Sequence, residues 1–354
     1  MPDQAQTTRE VLEQCDELGF ALAGICEARQ TSYAKELLQW LEAGRHGEME
    51  YLNRNTALRI DPGKMLPGAR SIICIADRYH DGTADEPLAV GRGRIARYAR
   101  GGDYHSVMKK RLHELCDSLR ISFPGENFRG CVDTAPVLER EHATRAGLGA
   151  IGKHTLLIEP GVGSYLLLGE VITTLKLDPS ESAQADDPCG TCTRCIDACP
   201  TDAITPWSVD ATKCISYLTI EHRGEIDERF HKPMGDWIFG CDICQEVCPH
   251  NQPTERTREA AVHEAYTPRL DSFDLLEILN WDENARREAF ARSSMKRAKL
   301  NMMKRNALIA AGNELRDHDR PELRLRLEEI ASDPSEDEIV RLTARTVLAS
   351  DHRS

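Results

Sequence analysis

The 354-residue sequence predicts an α/β (α+β) domain at residues 1–176, an inserted cysteine-rich domain at 177–255 and an all-α region at 256–354. Apolar runs of strand length alternate with helical patterns up to about residue 175. Eight of the thirteen cysteines then fall between residues 189 and 248, and amphipathic helical patterns follow. The chain is long enough for two or three packed units with separate cores.

The first segment opens with a helical pattern from about Thr8 to Leu18, followed by a short strand at 20–28. Residues 71–77 and 165–173 are nearly continuous apolar runs, which is typical of buried strands. A helical pattern at 105–120 lies between them, so these elements are expected to form one domain. The polar, proline-containing stretch from Leu177 onward predicts the boundary with the next domain.

The last segment has amphipathic patterns at 305–315, 321–333 and 336–350, separated by short polar or proline-containing turns. The helix pairs resemble HEAT-type units. Their copies are too few and too diverged to establish a repeat from the sequence alone.

The net charge of −13 argues against a nucleic-acid binder that works through overall charge. Two local stretches are basic: residues 89–111 hold seven Lys or Arg and one Asp, and 291–305 hold six and no acid. These stretches are candidate phosphate contacts, and solvated helix faces are the alternative. No run approaches the roughly 20 apolar residues of a membrane span, and the start lacks a signal-peptide pattern, so we expect a cytoplasmic protein without membrane contact.

The cysteines of the middle segment have the spacing of a two-cluster ferredoxin. The first four, ending at Cys199–Pro200, follow the pattern C-x2-C-x2-C-x3-C-P, in which three thiolates bind one cubane and the fourth binds the other. The second half ends at Cys248–Pro249, and Cys214 stands alone upstream. Reciprocity predicts two [4Fe–4S] clusters, one held by Cys189, Cys192, Cys195 and Cys248, the other by Cys199, Cys214, Cys241 and Cys244.

Structural zinc is the alternative, because C-x2-C pairs also form tetrahedral zinc sites. Zinc sites do not need the two C-x3-C-P endings. The five remaining cysteines are expected in the core as small apolar residues: Cys15, Cys26, Cys74, Cys116 and Cys131. Two adjacent clusters carry single electrons but do not select a reaction, so the substrate site is expected in the N-terminal domain.

Several longer segments resemble the epoxyqueuosine reductase family over nearly the whole chain. They are residues 97–105, 132–140, 145–158, 213–224 and 240–251. The resemblance implies the last step of queuosine biosynthesis, the reduction of epoxyqueuosine to queuosine at the wobble position of tRNA. It also implies cobalamin beside the two clusters, a cobalamin-binding N-terminal domain and a tRNA-binding C-terminal region.

The resemblance also implies individual site residues. Asp133 matches the family's proton donor. The implied cobalamin-site residues are Arg59, Asp133, His154, Leu157, Leu168, Ser216, Gly240, Cys241 and Asp242. His154 departs from the family, which often has Asn at this position. Opening an epoxide to an alkene requires two electrons and two protons, and Asp133 is expected to hold a proton if partial burial raises its pKa.

The tRNA partner is expected to contact the basic stretches through its backbone. The candidate residues are Arg97, Arg100, Lys110, His222, Arg223, Lys296, Arg297, Lys299, Lys304 and Arg305, with Lys109 and Arg111 as neighbours. Tyr98, Tyr104 and Tyr217 are either stacking platforms for unpaired bases or core aromatics.

An external electron donor of the flavodoxin or ferredoxin type is the other expected partner, and we expect a monomer. Two other functions stay open at this point. A reductive dehalogenase-like enzyme would use the same cofactors on a small molecule, although the basic C-terminal helices and the absence of a twin-Arg leader do not favour it. A non-catalytic electron-transfer subunit would leave the N-terminal domain without a role.

Overall fold

The computed structural model describes residues 3–181, 187–255 and 262–351. Its largest sheet has four strands in the order β1-β2-β7-β4, and all neighbouring strands are antiparallel. The antiparallel pairing makes the first segment α+β. The strands of this sheet are β1 (Leu22–Glu27), β2 (Ser71–Arg78), β4 (Phe128–Cys131) and β7 (Leu166–Thr173).

The central strands explain the continuous apolar runs in the sequence, because both faces of the sheet are covered. Every residue of β2 is buried. One face packs Ile73 and Ile75 against two helices, and the other packs Ile72 and Cys74 toward residues 137–148. The helices of the first segment are α1 (Gln4–Glu17), α2 (Ala34–Glu42), α3 (Glu50–Arg54), α4 (Thr56–Ile60), α5 (Pro62–Met65), α6 (Tyr104–Ser122) and α7 (Glu139–Arg145).

Helix α6 begins immediately after Asp103, whose carboxylate accepts a hydrogen bond from the main-chain N–H of His105. An aspartate at this position satisfies one of the N–H groups that a helix start leaves without an intrahelical partner. The cap fixes the direction in which the first turn of α6 presents Tyr104 and His105. A short hairpin of β5 (Ala150–Ile151) and β6 (Leu157–Ile158) completes the segment.

The cysteine-rich segment is built from short elements. They are α8 (Arg194–Asp197), the hairpin strands β8 (Ile204–Thr205) and β9 (Ser208–Val209), α9 (Ile215–Ile220), α10 (His231–Met234) and α11 (Ile243–Glu246). Residues 182–186, within the predicted linker, lie outside the described part of the chain, as do residues 256–261 at the predicted start of the third segment.

A second sheet joins all three predicted segments. Its order is β10-β3-β11, with β3 (Arg92–Ile95) from the first segment in the centre. Strand β10 (Trp237–Phe239) from the second pairs with it in parallel, and β11 (Ser272–Asp274) from the third pairs antiparallel. One hydrophobic core spans the same three segments, with Ile95, Phe239 and Phe273 among its members. The three segments therefore pack as one body.

The C-terminal helices agree with the predicted amphipathic patterns. They are α12 (Leu275–Leu279), α13 (Glu283–Ala289), α14 (Leu300–Asp317), α15 (Pro321–Ser332) and α16 (Glu338–Asp351). Helix α14 is buried along most of its length and packs against both β10 and α16. The resemblance of these helices to HEAT units stays a prediction.

All five cysteines expected in the core are buried. Among the described residues, none of the helices is both long and apolar enough to cross a membrane.

Candidate functional site

A cavity of about 390 Å³ lies between the first segment and the cysteine-rich segment. Its wall on one side is formed by Tyr98, Tyr104, Leu166 and Leu167, which α6, β7 and their neighbours position. Four cysteines form part of the opposite wall: Cys199, Cys214, Cys241 and Cys244. These are the four that spacing assigns to one cluster, and they lie directly beside a space large enough for a bound group.

The other four predicted ligands line a second cavity of about 240 Å³. They are Cys189, Cys192, Cys195 and Cys248. Cys248 is far from the first three in sequence but joins them here, because α8 and α11 pack together. Within the described ranges, no three His, Cys, Asp or Glu side chains converge closely enough to hold a single metal ion.

His154 lies between the two cavities and lines both. It is 3% exposed, and burial lowers its pKa to about 4, so the imidazole is neutral at pH 7. Its Nδ1 accepts a hydrogen bond from the N–H of Leu156 at 3.2 Å. The proton is therefore on Nε2, a buried atom with no partner in the described residues. An unpaired donor beside an open space is a natural contact for a bound polar group.

The turn at residues 240–242 packs against Ala96 and Arg97. Gly240 has φ of 69°, and a Cβ there would lie 2.6 Å from the Cβ of Ala96, so only glycine fits. Asp242 is 1% exposed and accepts a hydrogen bond from the main-chain N–H of Arg97 at 2.7 Å. Burial raises the pKa of Asp242 to about 6. Asp242 and Ser216, both implied by resemblance, line the larger cavity.

Asp133 is hydrogen-bonded to Tyr104, which lines the larger cavity. The Tyr104 hydroxyl donates to Asp133 Oδ2 at 2.5 Å, and His105 Nε2 lies 3.4 Å from the same oxygen. Burial alone would raise the pKa of Asp133, but the hydrogen bonds from His105 and Tyr104 and the His105 charge outweigh it and lower this pKa. The expectation of a raised pKa is therefore wrong for the free protein, because the partners of the carboxylate favour its charged form.

Five of the residues implied by resemblance do not line the larger cavity: Arg59, Asp133, Leu157, Leu168 and Gly240. Leu157 and Leu168 lie in β6 and β7, facing the core beneath the sheet, and the neighbouring Leu156 and Leu167 line the cavity instead. Arg59 is 8% exposed and donates to the carbonyl of Val137 at 3.2 Å. Its observed contact is with the segment after Asp133.

The sequence reasoning missed a buried polar network on the cavity wall. Ser164 Oγ donates to Gln245 Oε1 at 3.1 Å, and Gln245 in turn donates to the Tyr79 hydroxyl at 3.2 Å. Asn251 donates to Ser164 Oγ at 3.0 Å and to the carbonyl of Gln245 at 2.8 Å. Neutral polar residues scattered over 170 positions give no local signal, so only the fold brings them together.

Five candidate RNA contacts are internal side chains, and this revises the expectation for the basic stretches. Arg97 and Arg100 are 5% and 4% exposed and pair with Asp85. Lys304 is buried against Glu336, and Arg111 is buried against Asp77. Arg305 is fully buried and donates to main-chain carbonyls. A cation that already neutralises an internal partner is not available to a phosphate.

The remaining basic candidates are at the surface. Lys296 and Arg297 have side chains that are 58% and 46% exposed, and Lys299 is also exposed. The Arg297 guanidinium lies 5.2 Å from the centre of the Tyr51 ring and pairs with Glu221. Lys110 is exposed beside Glu114.

Two weaker candidates for RNA contact, His222 and Arg223, and the aromatic residue Tyr217 have partners within the protein. His222 contacts Glu48, and Arg223 reaches the sulfur of Met302 at 2.8 Å. Tyr217 is buried, and its hydroxyl accepts the N–H of Glu48 at 2.7 Å, which supports its interpretation as a core residue.

Comparisons with known proteins show which families this chain resembles. Residues 188–251 match the family model described as 4Fe-4S double cluster binding domain, and residues 59–134 match Epoxyqueuosine reductase QueG, DUF1730. The epoxyqueuosine reductase of Leadbetterella byssophila is 40% identical over 307 residues, covering 84% of this chain and 96% of that protein.

Solved structures are similar over almost the entire chain. Epoxyqueuosine reductase from Streptococcus thermophilus has a TM-score of 0.85 at 31% identity, covering 98% of this chain and 90% of that one. An epoxyqueuosine reductase crystallised with an epoxyqueuosine-modified tRNA stem loop has a TM-score of 0.82 at 27% identity, covering 99% of both chains. The chain therefore belongs to the epoxyqueuosine reductase family of oxidoreductases.

Proposed function

We propose that this chain reduces epoxyqueuosine in tRNA to queuosine, with electrons entering through two [4Fe–4S] clusters and a proton supplied through Asp133. The observation that carries the proposal is the larger cavity, whose wall includes the thiols of one predicted cluster and Tyr104, which is hydrogen-bonded to Asp133. A reductive reaction that also consumes protons needs these two features within one site.

The two sets of four cysteines are the proposed cluster ligands. This assignment is supported by the two cavities, because Cys248 lines the smaller one with the first half and Cys199 lines the larger one with the second. Such an exchange of fourth ligands is typical of two-cluster ferredoxins. The cysteines of the other set line the larger cavity, so we propose that electrons from an external carrier enter at the cluster of Cys189, Cys192, Cys195 and Cys248.

Cobalamin is the proposed group in the larger cavity. The residues fit such a group, because the wall combines apolar side chains with the unpaired Nε2–H of His154, the hydroxyl of Ser216 and the Asp242 turn. When bound, the corrinoid supplies a strongly reducing centre. The protein's part is to bind it, to exclude water with the apolar wall and to present the acid on the substrate side.

The proposed RNA contact surface consists of Lys296, Arg297 and Lys299. It adjoins the acid, because Lys296 lies 3.8 Å from Asp103, which in turn contacts His105. Cations at this position would bind the phosphates that flank a modified nucleotide, and the Tyr51 ring beside Arg297 would offer a stacking face.

The test is anaerobic single turnover with pre-reduced holoprotein and an RNA stem loop that carries epoxyqueuosine. Mass spectrometry should show the loss of one oxygen atom. Asp133→Asn keeps the shape and a hydrogen-bond donor but not a transferable proton, so its rate should fall about 10²- to 10⁴-fold with clusters and corrinoid retained. No product from the wild-type protein would contradict the proposed reaction, and a normal rate for Asp133→Asn would contradict the role of Asp133.

A further inference from the structure

The proton balance of the reaction poses a problem that Asp133 alone does not solve. Conversion of the epoxide to an alkene breaks both C–O bonds and forms a C=C bond. Two electrons from the clusters reduce the carbons, and the oxygen leaves as water after taking up two protons. A single carboxyl group holds one proton at most, and the pKa of Asp133 is lowered, so the free protein holds this group ionised near neutral pH.

The structure has a second proton carrier in contact with Asp133. His105 Nε2 lies 3.4 Å from Asp133 Oδ2, and His105 Nδ1 lies 2.9 Å from Asp103 Oδ1. The three side chains form a continuous Asp–His–Asp row. The Tyr104 ring stacks on the imidazole with centroids 3.9 Å apart, so the ring is fixed on its face as well as at both nitrogens.

Asp103 is itself rigidly placed. Its carboxylate caps α6, and its main-chain N–H donates to the carbonyl of Arg292 at 2.9 Å. A carboxylate at Nδ1 holds the proton on that nitrogen and directs Nε2 toward Asp133. Because about a third of the His105 side chain is exposed, water can return a proton to it.

On the basis of the proposed function, we infer that His105, oriented by Asp103, is a positioning residue that loads Asp133 with each of the two protons. In each step the proton moves from His105 Nε2 to Asp133 Oδ2, and Asp133 passes a proton to the departing oxygen. His105 then regains a proton from solvent.

The charges around His105 and Asp133 are consistent with His105 as the group that holds the proton before transfer. Burial alone would lower the pKa of His105, but its contacts with Asp133 and Asp103 raise it above the ordinary value, so the resting proton is on the imidazole. Other groups facing the pair are the Tyr98 ring, Glu139 at the start of α7, and Lys296 and Arg297 of the 294–297 turn.

The experiment is the pH dependence of single turnover with pre-reduced holoprotein, measured for the wild type, His105→Gln and His105→Gly. The wild-type rate should be high while His105 is protonated and should fall as pH rises through its raised pKa. His105→Gln should be about 10²- to 10⁴-fold slower and should lose this fall. Added imidazole should partly restore His105→Gly, because a diffusible base replaces the missing proton carrier.

Two further variants sharpen the test. His113→Gln changes an exposed histidine on the same helix and should leave the rate and its pH profile unchanged. Asp103→Asn keeps an oxygen for the α6 cap but removes the charge, so the fall in rate should move to lower pH.

Equal rates and pH profiles for His105→Gln and the wild type would overturn the inference. A slow His105→Gly without imidazole rescue, together with an unchanged profile in His105→Gln, would overturn it as well, since that pattern describes a structural role. Failure of the proposed function is recognised separately, because the wild-type protein would then form no product at any pH.

Discussion

Replacing Arg305 by Met should locally unfold the segment that borders the larger cavity. Arg305 is fully buried in α14, and its guanidinium donates to the carbonyls of Leu218 at 2.7 Å, His222 at 2.9 Å and Gly224 at 2.6 Å. These carbonyls belong to α9 and the turn after it. Met fills a similar volume but leaves the three acceptors without a donor.

The size of the effect follows from those acceptors. A buried polar group that loses its partner costs about 1–3 kcal/mol, so three of them set an upper range of about 3–9 kcal/mol. Entry of water and relaxation of an outer turn recover part of this. We therefore expect a loss of about 3–5 kcal/mol in the free energy of local opening, in the lower part of that range.

Hydrogen–deuterium exchange of the anaerobic holoprotein measures this quantity directly. Since about 1.4 kcal/mol corresponds to tenfold, amides in residues 215–224 should exchange roughly 10²- to 10⁴-fold faster in Arg305→Met. Arg316→Met is the control on the same helix. Within the described residues Arg316 has one side-chain hydrogen bond, to Asn313, so this variant should change exchange little. Unchanged protection of residues 215–224 in Arg305→Met would refute the reasoning.

Three further predictions concern the clusters, the RNA surface and the core. Cys248→Ala should reduce the iron content from about eight toward four by removing one cluster, and Cys214→Ala should remove the other, with different electron paramagnetic resonance spectra; full iron in both variants would contradict the ligand division. Replacing Lys296 and Lys299 by Ala should flatten the log–log salt dependence of tRNA binding by roughly 1 to 2 units, and an unchanged slope would move the RNA contacts elsewhere. Burial alone would lower the pKa of His142, but its buried glutamate partner raises it to about 9. Its contribution to stability, up to about 3 kcal/mol, should be present below pH 6.5 and lost as pH rises toward 9, and equal exchange protection of β2 at both ends of this range would contradict it.

The cysteine groups and the buried strands could be predicted from the sequence, because both depend on the spacing of neighbouring residues. The cysteine intervals predict two groups of four thiols, and the structure assembles these groups around two cavities even though Cys248 is remote from Cys189. The apolar runs predict β2 and β7, because a strand that is apolar at successive positions is expected to be covered on both faces. Such signals are contained within a few neighbouring residues.

The burial and pKa of individual charged side chains could not be predicted, because they depend on partners that are distant in sequence. Lys296 and Arg305 look alike in a basic stretch, but one is exposed and the other is inside α14. The pKa of Asp133 has its direction set by His105, which lies 28 positions earlier and meets it only through the fold. Charge and burial at a single position therefore have to be determined from the tertiary structure.

The shared position of Asp103 connects the RNA surface to the proton row, and this affects how Lys296 variants must be interpreted. Asp103 Oδ2 lies 3.8 Å from the Lys296 ammonium while Oδ1 contacts His105. Removing the ammonium leaves Asp103 with fewer competing cations, so the pKa of His105 should rise slightly and the fall in rate should move to higher pH. Lys299 does not contact Asp103 in the described structure, so Lys299→Ala should weaken RNA binding without this shift. A Lys296 variant therefore tests two properties at once, and only the comparison with Lys299→Ala separates phosphate binding from proton supply.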